Sequence, residues 1–334
     1  MLLQRIKLSL LTLIVFCGSA LAFGQTADTQ DIQNTLRRVQ SAAQKLNYSG
    51  IFVYQQANQI RTSRIVHGVD GQGELEKLEI LDGKPREYIR RNDEVSCFLP
   101  ESKTIQVEKN VTQEVFPALL SNNFLSLPDV YLIKKAEFSR VAGNECQILS
   151  FEPKDSLRYG YRLCLDKTSG LLLRAQTVNR KNEVIEQIAF TQISIGDIDK
   201  ARIKPSFPNT AQWHVENLTV QANVNSGWSV KLLPPGFKKT REMKRLIPIS
   251  VAANGAASNS VKANEVVQII FSDGLSAISV FIEPDSANRT EGSLQQGAMT
   301  LMGRRHGEFW LTVVGEVPFA AIKQVMNSIE FKPK

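Results

Sequence analysis

Turn signals interrupt this chain at short intervals, which limits what it can fold into. Between Ser49 and Ile195, "QANQ", "DGQG", "DGKP", "RND", "AGN", "EPKDS", "DKTSG" and "NRKNE" separate runs such as "RTSRIVHGV", "ELEKLEIL", "CQILSF" and "LLLRAQTV". Strands at such spacing predict a meandering antiparallel sheet, sandwich or barrel. One insert breaks the meander. "FPALLSNNFLSLPD", Phe116 to Asp129, reads as a short helix and loop with Phe116, Leu119, Leu120, Phe124 and Leu125 to bury.

The first run, "NYSGIFVYQQ", raises a question of cover. Tyr48, Gly50, Phe52 and Tyr54 share one face, and Ser49, Ile51, Val53 and Gln55 share the other. A half-buried strand alternates apolar and polar; here both faces are largely apolar. The strand is therefore covered on both sides, or it lies under a surface that binds something apolar. Phe52 and Tyr54 are expected on the concave side of a curved sheet, with Ile51 and Val53 turned toward a second cover. Ahead of it, Ile32, Leu36, Val39, Ala43 and Leu46 form one helical stripe, with Asp28 or Thr29 able to cap its start.

The N-terminus has the pattern of an export signal. Arg5 and Lys7 precede the apolar run "LSLLTLIVFC", and "ALA" ends at Ala22. The run is short for a membrane span, so cleavage after Ala22 is expected, the alternative being an uncleaved anchor. No later stretch is long and apolar enough to span a bilayer, and the expected location is a bacterial periplasm. Removing residues 1–22, which hold Arg5, Lys7 and no acid, takes the net charge from +7 to +5. A modest positive charge suits an acidic polypeptide or lipid phosphates; export excludes nucleic acid as an expected partner.

A length of 334 residues suits two domains. The proline-containing stretch "DKARIKPSFPNTAQW" divides them. The expected division is a signal at 1–22, a first domain at 23–204, a linker at 205–212 and a second domain at 213–334. Strands of the second domain include "VENLTVQ", "WSVKLL", "VVQIIFSD", "SAISVFIEP" and "FWLTVVGE", with "SDGL" as a hairpin turn. "AANGAASNSVKANE" reads as a loop. A closing helix carries Ile322, Val325, Met326 and Ile329 on one face, with Pro318 in its first turn.

Catalytic patterns are missing from the sequence. His67, His214 and His306 are scattered, with no H-E-x-x-H, no G-x-S-x-G and no phosphate-binding loop. No enzyme activity, metal or cofactor is expected. Cleavage would leave Cys97, Cys146 and Cys164, an odd number that suggests one disulfide and one free thiol in an oxidising compartment. Cys97 with Cys146 is the expected pair. Cys164 beside His67 or His214 would be the one conceivable nucleophile, against the plainer reading of a packed or paired strand cysteine.

Two groups of residues suggest binding. Basic residues recur at Arg90–Arg91, Lys134–Lys135, in "KKTREMKR" and at Arg304–Arg305. They are a solvated surface or, more sharply, a contact for acidic or phosphate groups of a partner, with Lys238, Lys239, Arg241, Lys244, Arg245, Arg304 and Arg305 as candidates. Tyr48, Phe52, Tyr54, Tyr159 and Tyr161 lie on separate strands. They pack a core, or some of them line an apolar groove.

"YSGIFVY" after an amphipathic helix, "RIVHGVDGQGELEKLEILDGKPREYIRRNDEVSCFLP", "YGYRLCLDKTSGLLLRAQTVN", "WSVKLLPPGF", "FSDGLSAISVFIEP" and "GAMTLMGRRHGEFWLTVVGEVPFAAIKQVMNSI" together resemble the RseB/MucB family, periplasmic regulators of the sigma-E envelope stress response. The resemblance runs in order over essentially the whole mature chain. Where the family has Trp in "YRLWLD", this chain has Cys164, which marks Cys164 as the odd cysteine. The resemblance implies an α+β, mainly antiparallel fold: a LolA/LolB-like unclosed β-barrel with helices on its concave side, followed by a smaller α/β domain. It implies binding to the periplasmic part of an RseA- or MucA-like anti-sigma factor, shielding it from the site-1 protease. It also implies release by a lipid-type signal such as lipopolysaccharide or lipoprotein acyl chains. Candidates for a lipid groove are Phe52, Tyr54, Phe116, Leu120, Phe124, Tyr159 and Tyr161. A lipid carrier of the LolA type is the alternative, and homo-oligomerisation is left open.

Overall fold

A computed structural model describes residues 21–109, 116–120, 124–218, 220–248, 263–286 and 289–332. Nearly all of the expected signal segment and most of the loop expected at Ala252–Glu265 lie outside the described residues.

Helix α1 (Leu21–Lys45) begins before the cap expected at Asp28 or Thr29. The strands of the first domain are β1 (Tyr48–Gln56), β2 (Gln59–Asp70), β3 (Gly73–Ile80), β4 (Arg86–Arg91), β5 (Glu94–Leu99) and β6 (Thr104–Glu108). A 3₁₀ turn (Phe124–Ser126) and α2 (Leu127–Val130) follow, then β7 (Tyr131–Val141), β8 (Asn144–Pro153), β9 (Gly160–Asp166), β10 (Leu172–Val178), β11 (Val184–Ile195) and β12 (His214–Asn217). They form one twelve-stranded sheet in the order β12-β6-β5-β4-β3-β2-β1-β11-β10-β9-β8-β7. The two end strands, β7 and β12, do not pair with each other, so the curved sheet is not closed. This is the expected half-barrel.

The concave side holds the core. Ile32, Leu36 and Val39 of α1 pack with Phe52, Ile65, Phe124, Leu127, Leu163 and Phe190. Burial of such side chains contributes about 1.5–3 kcal/mol each. Leu119 and Leu120 pack on the same cluster, whereas Leu125 of the insert is 45% exposed. Glycine is required at Gly50 in β1, because a Cβ there would lie 2.8 Å from the Phe190 ring.

The convex side has its own cover. Gly196 to Trp213 runs over it as a strap. Its 3₁₀ turn (Lys200–Ile203) is capped by the Asp199 side chain, which accepts from Ala201 N at 2.9 Å. Beneath it, Lys77 and Glu87 form a buried ion pair at 3.1 Å; Lys77 also donates to Lys204 O, and Glu87 accepts from Ser206 N. Trp213 stacks on Phe207 and meets Phe98. Phe52 of β1 is buried on the concave side, and Ile51 and Val53 on the other face are half-buried. Both faces of the first strand are therefore covered.

Three expectations are corrected. The disulfide joins Cys146 to Cys164, not Cys97 to Cys146. Cys146 and Cys164 lie on the paired strands β8 and β9 with Cα atoms 5.4 Å apart, while Cys97 sits on β5, far across the sheet, as a free thiol. The disulfide also removes Cys164 as a nucleophile. The chain does not leave the first domain at Trp213, since His214–Asn217 pairs parallel with Thr104–Val107 of β6.

The second domain contains β13 (Val220–Ala222), β14 (Trp228–Val230), β15 (Lys238–Pro248), β16 (Ala263–Ser272), β17 (Ala277–Pro284), β18 (Gly292–Gln296), β19 (Met299–His306), β20 (Phe309–Gly315), α3 (Phe319–Asn327) and β21 (Ile329–Phe331). Seven strands form an antiparallel sheet in the order β13-β15-β16-β17-β20-β19-β18, and β14 pairs separately with β21. Ile322, Val325 and Met326 of α3 pack on Ile269, Val280 and Val313. The domain is mixed, as expected, but its sheet is antiparallel and carries a single helix among the described residues. The run "KKTREMKR" is strand β15, whose charged sequence hid a strand that buries Met243 and Glu242.

Candidate functional site

The β16–β17 hairpin, the expected "SDGL" turn, brings the second domain onto the first. Asp273 Oδ1 accepts from Leu275 N at 3.0 Å and Ser276 N at 2.8 Å, which fixes the turn. Its Oδ2 accepts from Arg158 Nη1 and from the Tyr131 hydroxyl at 3.3 Å. Arg158 and Asp273 are both 0% exposed. Arg158 also donates to Asp155 and to Pro235 O, and its guanidinium lies 5.3 Å from the centre of the Tyr131 ring and 5.5 Å from that of Phe237. Burial pushes the Asp273 carboxyl up, while the turn N–H groups and the Arg158 charge oppose that rise. Gly236 has φ +79°, and a Cβ there would meet Val130 of the first domain at 2.8 Å. The Tyr161 hydroxyl and Ser276 Oγ, 2.8 Å apart, extend the contact.

Beyond Ser276 the two domains separate around a cavity of about 420 Å³. Tyr54, Phe116, Leu119, Tyr161 and Ile188 line it from the first domain, and Leu275, Met299 and Val314 from the second. Its charged residues among those described are Glu186 of β11 and Glu316, which follows β20. The Glu186 carboxylate accepts from the Tyr54 hydroxyl (3.1 Å), Gln56 Nε2 (3.3 Å), the Thr177 hydroxyl (3.4 Å) and Ala298 N (3.4 Å). Glu316 has no hydrogen-bond partner among the described residues, and burial, with the Glu186 charge, pushes its carboxyl up to about 7. Burial and Glu186 also push the Tyr54 phenol up, which keeps it a donor.

A second cavity, of about 450 Å³, lies on the same concave surface over β3 to β6. Leu78, Tyr88, Val95, Cys97 and Leu218 line it, with Arg90, Glu76 and Glu108. Burial raises the Cys97 thiol and so favours its protonated, less nucleophilic form.

Of the expected groove residues, Tyr54, Phe116 and Tyr161 line the interdomain cavity. Phe52, Leu120 and Phe124 lie in the core beneath it, where the Phe52 ring sits 5.3 Å from that of Phe116. Tyr159 accepts from Gln295 Nε2 at the domain contact. The basic candidates do not converge: β15 and β19 are separated by β16, β17 and β20. Lys239 pairs with Glu242, Lys244 with Glu265, Arg245 with Glu108 of the first domain and Arg305 with Asp285. Arg304 donates to Asn327 and Met326 O at the end of α3. Lys238 is exposed. Desolvation lowers Arg241, and its Nη2 is buried without a hydrogen-bond partner among the described residues.

Sequence reasoning missed Glu186, Glu316, Arg158 and Asp273. A signal existed for Glu186: it shares strand parity with Ile188 and Phe190, so a carboxylate interrupts an apolar stripe. His67 is structural, fully buried between Leu46 O and Glu74 at 2.8 Å from each. Among the described residues no group of three or more His, Cys, Asp or Glu could hold a metal ion.

An unclosed half-barrel, a second sheet domain docked on it through a buried ion pair, and apolar cavities on the concave side define the class of protein. The chain belongs to the MucB/RseB family: the model of the MucB/RseB N-terminal domain matches residues 31–207 and that of the C-terminal domain matches residues 222–330. It is 29% identical over 332 residues to the sigma factor AlgU regulatory protein MucB of Pseudomonas aeruginosa, covering 95% of this chain and 96% of that protein. It is 24% identical to the sigma-E factor regulatory protein RseB of Escherichia coli K12, with 94% and 95% covered. The structure of the P. aeruginosa MucA/MucB complex aligns with a TM-score of 0.67 at 26% identity, covering 91% of this chain and 100% of that one.

Proposed function

We propose that this chain is a periplasmic negative regulator of sigma-E-type envelope stress signalling. It binds the periplasmic region of an RseA- or MucA-like membrane anti-sigma factor and shields it from site-1 proteolysis. Residues 1–22 act as its cleaved export signal. The observation that carries this reading is the full-length likeness, both domains in order, to a protein solved in complex with MucA. The protein works by binding and not by catalysis, in keeping with relatives named as regulatory proteins. A lipid-type signal entering the concave side releases the partner. Such a ligand acts only through unequal affinity for the free and partner-bound states. Mixing the mature protein with the purified periplasmic segment of the anti-sigma factor from the same genome should give a complex on size-exclusion chromatography. No complex at roughly tens of micromolar, an ordinary range for a specific contact, would reject the reading.

The second reading is a lipid carrier, favoured by the two cavities on the concave side. Stoichiometric acyl lipid after native purification, with no affinity for the anti-sigma segment, would select it.

A further inference from the structure

The interdomain cavity is apolar along most of its wall and carries charge of one sign. Among the described residues its charged groups are Glu186 and Glu316, and no Lys, Arg or His lines it. The two carboxylates are held differently. Glu186 is satisfied by four donors, two of them, Tyr54 and Gln56, on the neighbouring strand β1. Glu316 faces the same space with no donor at all among the described residues. Glu316 is half-buried against a largely apolar wall; a carboxylate held there without a donor is costly, and an incoming cation would lower that cost. Phe116, Leu119, Ile188 and Leu275 supply the surface for an apolar body.

We infer that this cavity is a binding site for an apolar molecule ending in a single positive charge, a primary alkylammonium, with the charge between Glu186 and Glu316. Its walls discriminate against carboxylate- and phosphate-headed chains by like-charge repulsion. Because Glu186 belongs to the first domain and Glu316 to the second, the occupant bridges both and biases how firmly they are joined. The inference goes beyond the regulatory reading and does not depend on it.

The site has a built-in pH dependence. Glu316 faces Glu186 on β11, Tyr54 on β1 and Tyr161 on β9, while Ser272, Ser276 and Ser279 on its own domain's side carry no charge. Past Ser276 the Arg158–Asp273 pair is internally matched. As Glu316 loses its proton, attraction for an ammonium rises, while an alcohol of the same length gains nothing.

Calorimetric titration of the full mature chain with octylamine, octanol and octanoate tests this. At about pH 8 octylamine should bind about tenfold more tightly than octanol, the scale of one charge-assisted contact, and octanoate should bind more weakly than octanol. The amine preference should shrink by several-fold at about pH 5.5, where Glu316 is protonated. Glu316→Gln should abolish the amine preference over octanol, and Leu275→Trp should block all three. Equal or tighter binding of octanol or octanoate at the higher pH overturns the inference. So does a preference that survives Glu316→Gln, or no binding of any of the three. Anti-sigma binding is measured separately, so its failure and this one remain distinguishable.

Discussion

The domain interface has two ends built on opposite electrostatic terms. At one end Arg158 meets Asp273, both fully buried, with every charged group given a partner from Asp155, Tyr131, Pro235 or the hairpin backbone. At the other end Glu186 faces Glu316 across an open cavity, with no cation among the described residues that line it. A buried ion pair holds only when geometry and hydrogen bonds are complete, and a buried like-charge pair persists only if one member takes up a proton. The first end is a fixed joint; the second is tunable by pH or by an occupant. A regulator whose partner must be released needs both, a rigid reference and a soft contact that a signal can alter.

The fixed joint gives the largest expected effect. Arg158→Met leaves Asp273 buried without its cation, and Asp273→Asn takes from Arg158 one of its two carboxylate partners, Asp155 remaining at 3.0 Å, while Asn keeps an oxygen for the hairpin turn. Each should cost about 3–5 kcal/mol in urea unfolding, and the double variant much less than the sum. Additive losses would show that the two side chains do not act as one unit and that the joint rests on the Gly236 and Tyr161 contacts instead.

Both ends lean on β9, which carries Tyr161 at the cavity and Cys164 in the core. The disulfide to Cys146 closes a loop with a sequence separation of 18. Its loss in Cys146→Ser, or on reduction, should cost about 3 kcal/mol through the unfolded chain. Cys97→Ser should leave unfolding unchanged within about 0.5 kcal/mol, because its thiol carries no cross-link. If instead Cys97→Ser reproduced the effect of reductant, the observed pairing would be wrong. A reduced protein that kept its joint but lost cavity binding would show that the soft end alone depends on the tie between β8 and β9.

How much of this was legible follows from what each residue depends on. Strand meander, the α1 stripe and the closing helix rest on local period and turn chemistry, and the sequence displays both. Tyr54, Phe116 and Tyr161 could be nominated as groove residues by aromatic character, yet Phe52, Leu120 and Phe124, chosen on the same ground, are core. Parity places a side chain on a face of the sheet but does not say what the second domain leaves uncovered. Strand β15 was hidden because its charged side chains point outward or pair with Glu242, Glu265 and Glu108. The disulfide was misassigned because cross-strand register, which puts Cys146 near Cys164, is a property of the assembled sheet. Asp273 looked like a turn residue, and is one; its second role needs Arg158, distant in sequence.

The soft end gives the smallest effect on stability and the most informative one. Glu316 has its folded-state value raised to about 7, above the ordinary 4.5 of the unfolded chain, by burial first and by Glu186 second. The folded state therefore binds a proton that the unfolded state releases. Its contribution to stability is complete below the unfolded value and is lost as pH rises through about 7. Glu316→Gln, which mimics the protonated form, should be close to wild type at about pH 5 and gain on it by about 2–3 kcal/mol by about pH 8. Asp273 is present in both proteins, so the difference between the two unfolding curves reports on Glu316 and its interaction with Glu186. A constant offset across pH would mean that Glu316 is ionised throughout, that water screens it from Glu186, and that both ends of the interface are electrostatically satisfied. A difference that opens near neutrality, and closes again when a cationic ligand is added at the higher pH, would place the tunable contact at this pair.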